Sequence, residues 1–126
     1  MQFESTNPGG SLKIDLAEDL GGNGDGLRPK ALMLSALAGC SGLDVASLIK
    51  KMRLDVAEFS IDTDGFLTET EPAVYNKVLV SYNFKGENLN EEKLTRAVNL
   101  SVEKYCGVME MLRSFSEIEI NINFNK

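Results

Sequence analysis

Two hydrophobic spacings alternate along the chain, and each switch between them marks a new element. Leu12, Ile14 and Leu16 alternate with Lys13 and Asp15, the period of a strand with one apolar face. Residues 1–6 are placed to pair with it through Asn7-Pro-Gly-Gly10, a turn-forming cluster. From Lys30 to Met52 the apolar positions cover most of a helical circumference. Pro29 suits the first turn of that helix, where its missing N–H has no intrahelical role. A helix this apolar needs cover on nearly all sides, more than one small sheet supplies, so a second subunit is expected against it. Lys50, Lys51 and Arg53 close it with positive charge at the negative end of the helix dipole.

Period two returns at Ala57, Phe59, Ile61 and Thr63, a strand expected to end at the turn Asp64-Gly65. A longer strand is predicted from about Val74 to Phe84, with Val78, Val80, Tyr82 and Phe84 on one face. Asn90 is an N-cap type, and Leu89 and Leu94 have the spacing of a hydrophobic staple. Leu94, Val98, Ser101, Tyr105, Val108 or Met109, and Leu112 then form one apolar helical stripe. Cys106 lies beside that stripe, and Gly107 is a break or kink. Ile118, Ile120, Ile122 and Phe124 alternate with polar residues in a last strand. No repeat or linker divides the chain, so the order ββ-α-ββ-α-β predicts one α+β domain over residues 1–126. Its helices gather on one side of a mainly antiparallel sheet.

Composition narrows the function. A chain of 126 residues, 43% hydrophobic and 25% charged, fits one globular domain with an ordinary core. A net charge of −6, with no basic stripe, argues against nucleic acid or an anionic membrane surface as partner. The run from Ala31 to Ile49 approaches the length of a membrane span. It is interrupted by Ser35, Ser41, Asp44 and Ser47, with Gly39 and Gly42 between them, which favours a core helix over a bilayer helix. MQFESTNPGG has no positive leader and no apolar segment, so a cytoplasmic location is expected. Gly21-Gly-Asn-Gly-Asp-Gly26 lacks the GxxxxGK[ST] pattern and reads as a flexible connection or lid, not a nucleotide site.

With no histidine and two cysteines, the chain has no Cys–His or Ser–His pair and too few soft ligands for a zinc site. No cofactor is indicated. Chemistry, if there is any, falls to Cys40 and Cys106. A free cysteine is usually a small buried hydrophobe. Here each adjoins a glycine (Gly39, Gly107), which leaves room for a substrate or a second backbone near sulfur. A thiolate can attack a peroxide oxygen, and a second thiol can capture the resulting sulfenic acid as a disulfide. The two residues are 66 positions apart, so only the fold can bring them to bonding geometry.

The segments RPKALMLSALAGCSGLDVASLIKKMR and EEKLTRAVNLSVEKYCGVMEML resemble the OsmC/Ohr-like family, the osmotically induced protein C and organic hydroperoxide resistance proteins. The likeness runs from about Leu12 to the C-terminus. It rests on a Pro-led helix with cysteine eleven residues after the proline, and on the phrase Lys104-Tyr-Cys-Gly-Val108. It implies an intertwined α+β homodimer with the first helix buried centrally. It also implies reduction of organic hydroperoxides, in which Cys40 attacks, Cys106 resolves, and a dithiol such as dihydrolipoamide restores the enzyme. The family's arginine and glutamate complete the site at the dimer interface. The glutamate position holds Lys30 here, and the nearest substitute for the arginine is Arg28. Ten helical residues span about 15 Å, so Lys30 would reach a Cys40 thiolate across the interface. Lysine there either stabilises the thiolate or marks a chain that kept the fold as a dimeric binding or redox-sensing module. Leu43, Met109 and Leu112 are the apolar residues expected to line a pocket for greasy peroxides.

Overall fold

The computed structural model describes residues 2–126; Met1, at the start of the expected first strand, lies outside the described residues. The chain forms two compact units, one up to Ser35 and one from Ala36 to Lys126.

In the first unit, β1 (Gln2–Asn7) and β2 (Gly10–Asp15) form the expected antiparallel hairpin, with Phe3 opposite Ile14 and Ser5 opposite Leu12. The glycine-rich loop after it is not the loose connection expected from its composition. The Asp15 carboxylate is buried and accepts hydrogen bonds from the backbone N–H groups of Leu16 (2.8 Å), Asn23 (3.0 Å) and Asp25 (3.2 Å). The loop is thereby folded around one side chain, and Leu27 N–H closes it on the Lys13 carbonyl at 2.9 Å. Gly22 is required by space, since a Cβ there would come within 2.0 Å of the Leu16 carbonyl oxygen.

Burial alone would raise the Asp15 pKa, but the three N–H donors outweigh it and hold the carboxyl below its ordinary value of 3.8. A lowered folded-state value contributes stability that is full above pH 3.8 and lost as pH falls through the lower value. Asp15→Asn is therefore expected to melt below the wild type at neutral pH, with the gap closing on acidification below pH 3.8. Thermal melts across that range check this, and a gap independent of pH would contradict it.

Helix α1 (Pro29–Lys51) starts at the proline, as its position predicts. Its end is capped by Leu54 N–H on the Ile49 carbonyl (2.9 Å) and Arg53 N–H on the Lys50 carbonyl (3.2 Å), with Arg53 in the left-handed region at φ 55°. The helix has the length and apolarity of a membrane span. Within the second unit, however, its covered stripe is Leu37, Ser41 and Val45, and the Ser41 hydroxyl is hydrogen-bonded to strand and helix partners. Of its other large apolar residues, Met33 and Leu43 are exposed in the single chain, Leu43 at 75%.

The sheet of the second unit has the order β3 (Glu58–Leu67), β4 (Tyr75–Lys85), β5 (Glu117–Asn125). Strand β3 continues past the expected turn at Asp64-Gly65, because Gly65 stays in the antiparallel ladder opposite Val78. The turn comes later, where Thr68 N–H meets the Val74 carbonyl at 2.8 Å. The β4–β5 pair is parallel, the exception in an otherwise antiparallel arrangement. The reason is the crossover: the helical segment between these strands carries the chain back to the starting end before β5 begins. Register aligns two fully apolar rows on one face, Ile61–Tyr82–Ile122 and Phe59–Phe84–Phe124, the latter with ring centroids 4.8 and 5.8 Å apart.

The crossover begins with α2 (Glu91–Leu100), capped by Asn90, whose side-chain oxygen accepts from Lys93 N–H at 3.1 Å. It continues as a π turn (Ser101–Tyr105) and ends in α3 (Gly107–Arg113). The expected continuous stripe through Tyr105 does not form. In the π turn Cys106 N–H bonds to the Ser101 carbonyl at 2.9 Å, an i→i−5 step. After Ser101 the next inward position is therefore Cys106, buried, and not Tyr105, which is 50% exposed.

Candidate functional site

Each cysteine reaches its place by a different local rule. Cys40 lies in regular helix one residue before Ser41, whose burial orients that turn of α1 toward the sheet. Cys106 is the break itself, in extended conformation (φ −80°, ψ 104°) between the π turn and α3, and Gly107 merely follows it. Its Sγ caps α3 by accepting from Met109 N–H at 3.4 Å.

The fold brings the two cysteines near each other. Both are free thiols, Cys40 half-buried and Cys106 buried, and Cys40 is near enough to act on the Cys106 thiol. Burial pushes the Cys106 thiol up to about 11 from 9.0, with the Met109 N–H opposing and Cys40 and Asp44 adding to the rise. Cys106 is thus held protonated at neutral pH. A Cβ added at Gly39 or at Gly107 would meet nothing within 4 Å, so there is open space at the two glycines that adjoin the cysteines. At pH 8 a thiol with a pKa of about 11 is about 100-fold less ionised than one at 9.0. Iodoacetamide is accordingly expected to label Cys106 about 100-fold more slowly than free cysteine, as read by peptide mass spectrometry. Labelling at the free-cysteine rate would contradict the burial argument.

Beside the thiols lies a polar cluster that pattern reading did not assign to a site. Ser41, Tyr82 and Ser101 are fully buried. The Ser41 hydroxyl is 2.6 Å from the Tyr82 hydroxyl and 2.8 Å from that of Ser101, which donates to Asp44 Oδ2 at 3.0 Å. The signal was present in the sequence: three hydroxyls and a carboxylate stand on otherwise apolar faces, and buried polar groups need partners. What pattern cannot supply is that they would meet one another.

Arg28 and Lys30 belong to the first unit and are both exposed. Arg28 Nη1 donates to the carbonyls of Gly26 (2.8 Å) and Asp15 (3.3 Å), which fixes it against the folded loop. Met109 and Leu112 are buried core residues. Leu43 instead borders an open groove of about 370 Å³ between α1 and β3, with Gly39, Gly42, Phe59 and Ile61. No cluster of three or more metal-ligating side chains occurs among the described residues.

Comparison with known proteins places this arrangement. A family model described as OsmC-like protein matches residues 22–121. Protein YhfA of Escherichia coli strain K12 is 34% identical over 84 residues, covering 67% of this chain. That match spans 63% of YhfA, less than two thirds of its length. A hypothetical protein from Aquifex aeolicus VF5 superposes with a TM-score of 0.85 at 30% identity, over 99% of this chain and 89% of that one. The organic hydroperoxide resistance protein OhrB of Bacillus subtilis shares the fold, with a TM-score of 0.65 at 18% identity over 97% and 96% of the two chains. The sequence resemblance, the α+β architecture and the family match agree, and the chain belongs to the OsmC-like protein family.

Proposed function

We propose that this protein reduces organic hydroperoxides with its thiol pair, working as a homodimer. The observation that carries the reading is the proximity of a half-buried Cys40 to a buried, protonated Cys106 in a chain with no histidine. The Cys40 thiolate attacks the distal peroxide oxygen. An S–O bond forms, the O–O bond breaks, and the alkoxide leaves as alcohol after taking a proton. The Cys106 thiol then condenses with the Cys40 sulfenic acid, giving a disulfide and one water. A dithiol of the dihydrolipoamide type reduces the disulfide and returns both thiols.

Arg28 or Lys30 is assigned as the cation that stabilises the Cys40 thiolate from the partner subunit. The uncovered apolar surface of α1, Leu43 above all, supports a second copy as its cover. A second reading is favoured by one residue: lysine at position 30, where the family's glutamate is expected, suits a binding or redox-sensing module that has lost efficient catalysis. Steady-state turnover of cumene hydroperoxide with dihydrolipoamide separates the two. Turnover by the wild type and none by Cys40→Ser supports the peroxidase, and equal rates in the two sink it.

A further inference from the structure

The hydroxyl cluster beside the thiols has a fixed direction. A serine or tyrosine hydroxyl carries one proton, and an ionised carboxylate only accepts. Ser101 donates its proton to Asp44 at 3.0 Å. Its oxygen must then accept from Ser41 at 2.8 Å, and Ser41 in turn accepts from Tyr82 at 2.6 Å. The chain therefore runs Tyr82→Ser41→Ser101→Asp44, with every donor used and the half-buried carboxylate as its end. The Ser41 carbonyl, 3.4 Å from Ser101 Oγ, is a second and longer acceptor for the same proton.

This chain joins the three segments that determine where the sulfurs sit. Ser41 follows Cys40 on α1, Tyr82 is on the central strand β4, and Ser101 opens the π turn. Ser101 acts twice, because its carbonyl also accepts from Cys106 N–H at 2.9 Å. The π turn is an uncommon conformation with an obvious competitor. Relaxed to ordinary helix, the segment would bond at i→i−4, and the inward position after 101 would move from 106 to 105. Cys106 would turn by about 100° away from α1.

We infer that Tyr82, Ser41, Ser101 and Asp44 are positioning residues for the thiol pair: their hydrogen-bond chain holds the π turn against α1 so that Cys106 faces Cys40. The inference rests on the reading of these thiols as a working pair, but its test uses no peroxide. Diamide takes two hydrogens from two thiols, leaving a disulfide and a hydrazine, so it reports the geometry of the pair alone.

In the full-length reduced protein, Ser101→Ala and Tyr82→Phe are each expected to form the Cys40–Cys106 disulfide about tenfold or more slowly than the wild type. Cys40 alkylation by iodoacetamide should stay at the wild-type rate, which a general loosening of the fold would not allow. Asp44→Asn keeps an oxygen for the Ser101 hydroxyl and removes the negative charge near Cys106, so it should cross-link at the wild-type rate or faster. If Ser101→Ala fails to fold, Tyr82→Phe, which removes a single oxygen, carries the test. Wild-type cross-linking rates in folded Ser101→Ala and Tyr82→Phe overturn the inference, as does a parallel change in Cys40 alkylation. A wild type that cross-links with diamide yet turns over no hydroperoxide overturns the proposed function and leaves this inference standing.

Discussion

Cys40→Ser is expected to lose cumene hydroperoxide turnover by about 10³-fold or more, because a serine hydroxyl is not ionised at neutral pH and no other side chain can replace the attacking sulfur. The chain has no histidine to activate the hydroxyl, which removes the usual route by which serine becomes a nucleophile. Cys106 cannot take over, since its thiol is buried and its pKa is pushed up to about 11. The reciprocal variant separates the two roles. Cys106→Ser should consume peroxide once and stop at the Cys40 sulfenic acid, visible by mass spectrometry as one added oxygen, with further oxygens on prolonged exposure. A Cys106→Ser protein that accumulates no oxidised Cys40, or a Cys40→Ser protein with residual rapid turnover, would reverse the assignment.

The largest expected loss of stability is at Phe84. Its side chain is fully buried in the central strand, and its ring stacks between Phe59 at 4.8 Å and Phe124 at 5.8 Å. Phe84→Ala removes the middle of a three-ring row and leaves a cavity bounded by two strands that are themselves hydrogen-bonded and cannot close in. The cost is expected to be about 3–5 kcal/mol. Against a typical stability of about 5–15 kcal/mol this is a large fraction of the total. Denaturant unfolding of the two proteins measures it. A difference below about 1 kcal/mol would mean that the row is not part of the core.

Much of the architecture was legible in the sequence, for reasons that are local. Alternation over Val78–Phe84 and Ile118–Phe124 gives strands because residues two apart share a face. Asn90 caps α2 because its side chain reaches an N–H three residues on, and Pro29 starts α1 because it lacks one. The misreadings share a cause as well. Asp64-Gly65 has turn composition, yet the β4 ladder supplies hydrogen bonds that keep Gly65 in the strand. The run Gly21–Gly26 reads as loose, yet Asp15 gathers its N–H groups from positions that no spacing rule connects to residue 15.

The same division holds at the site. By itself the sequence determined which atoms can do chemistry: two cysteines, no histidine, and an α+β frame set by hydrophobic period. It did not determine that the 65 intervening residues bring those cysteines near each other, nor that Cys106 faces inward. The period of an ideal helix places Tyr105 inside, whereas one i→i−5 turn places Cys106 there instead. Only tertiary structure decides this, because helical period cannot place an i→i−5 turn, and the residue that opens it, Ser101, is bonded to Ser41, which is bonded in turn to Tyr82 on a distant strand.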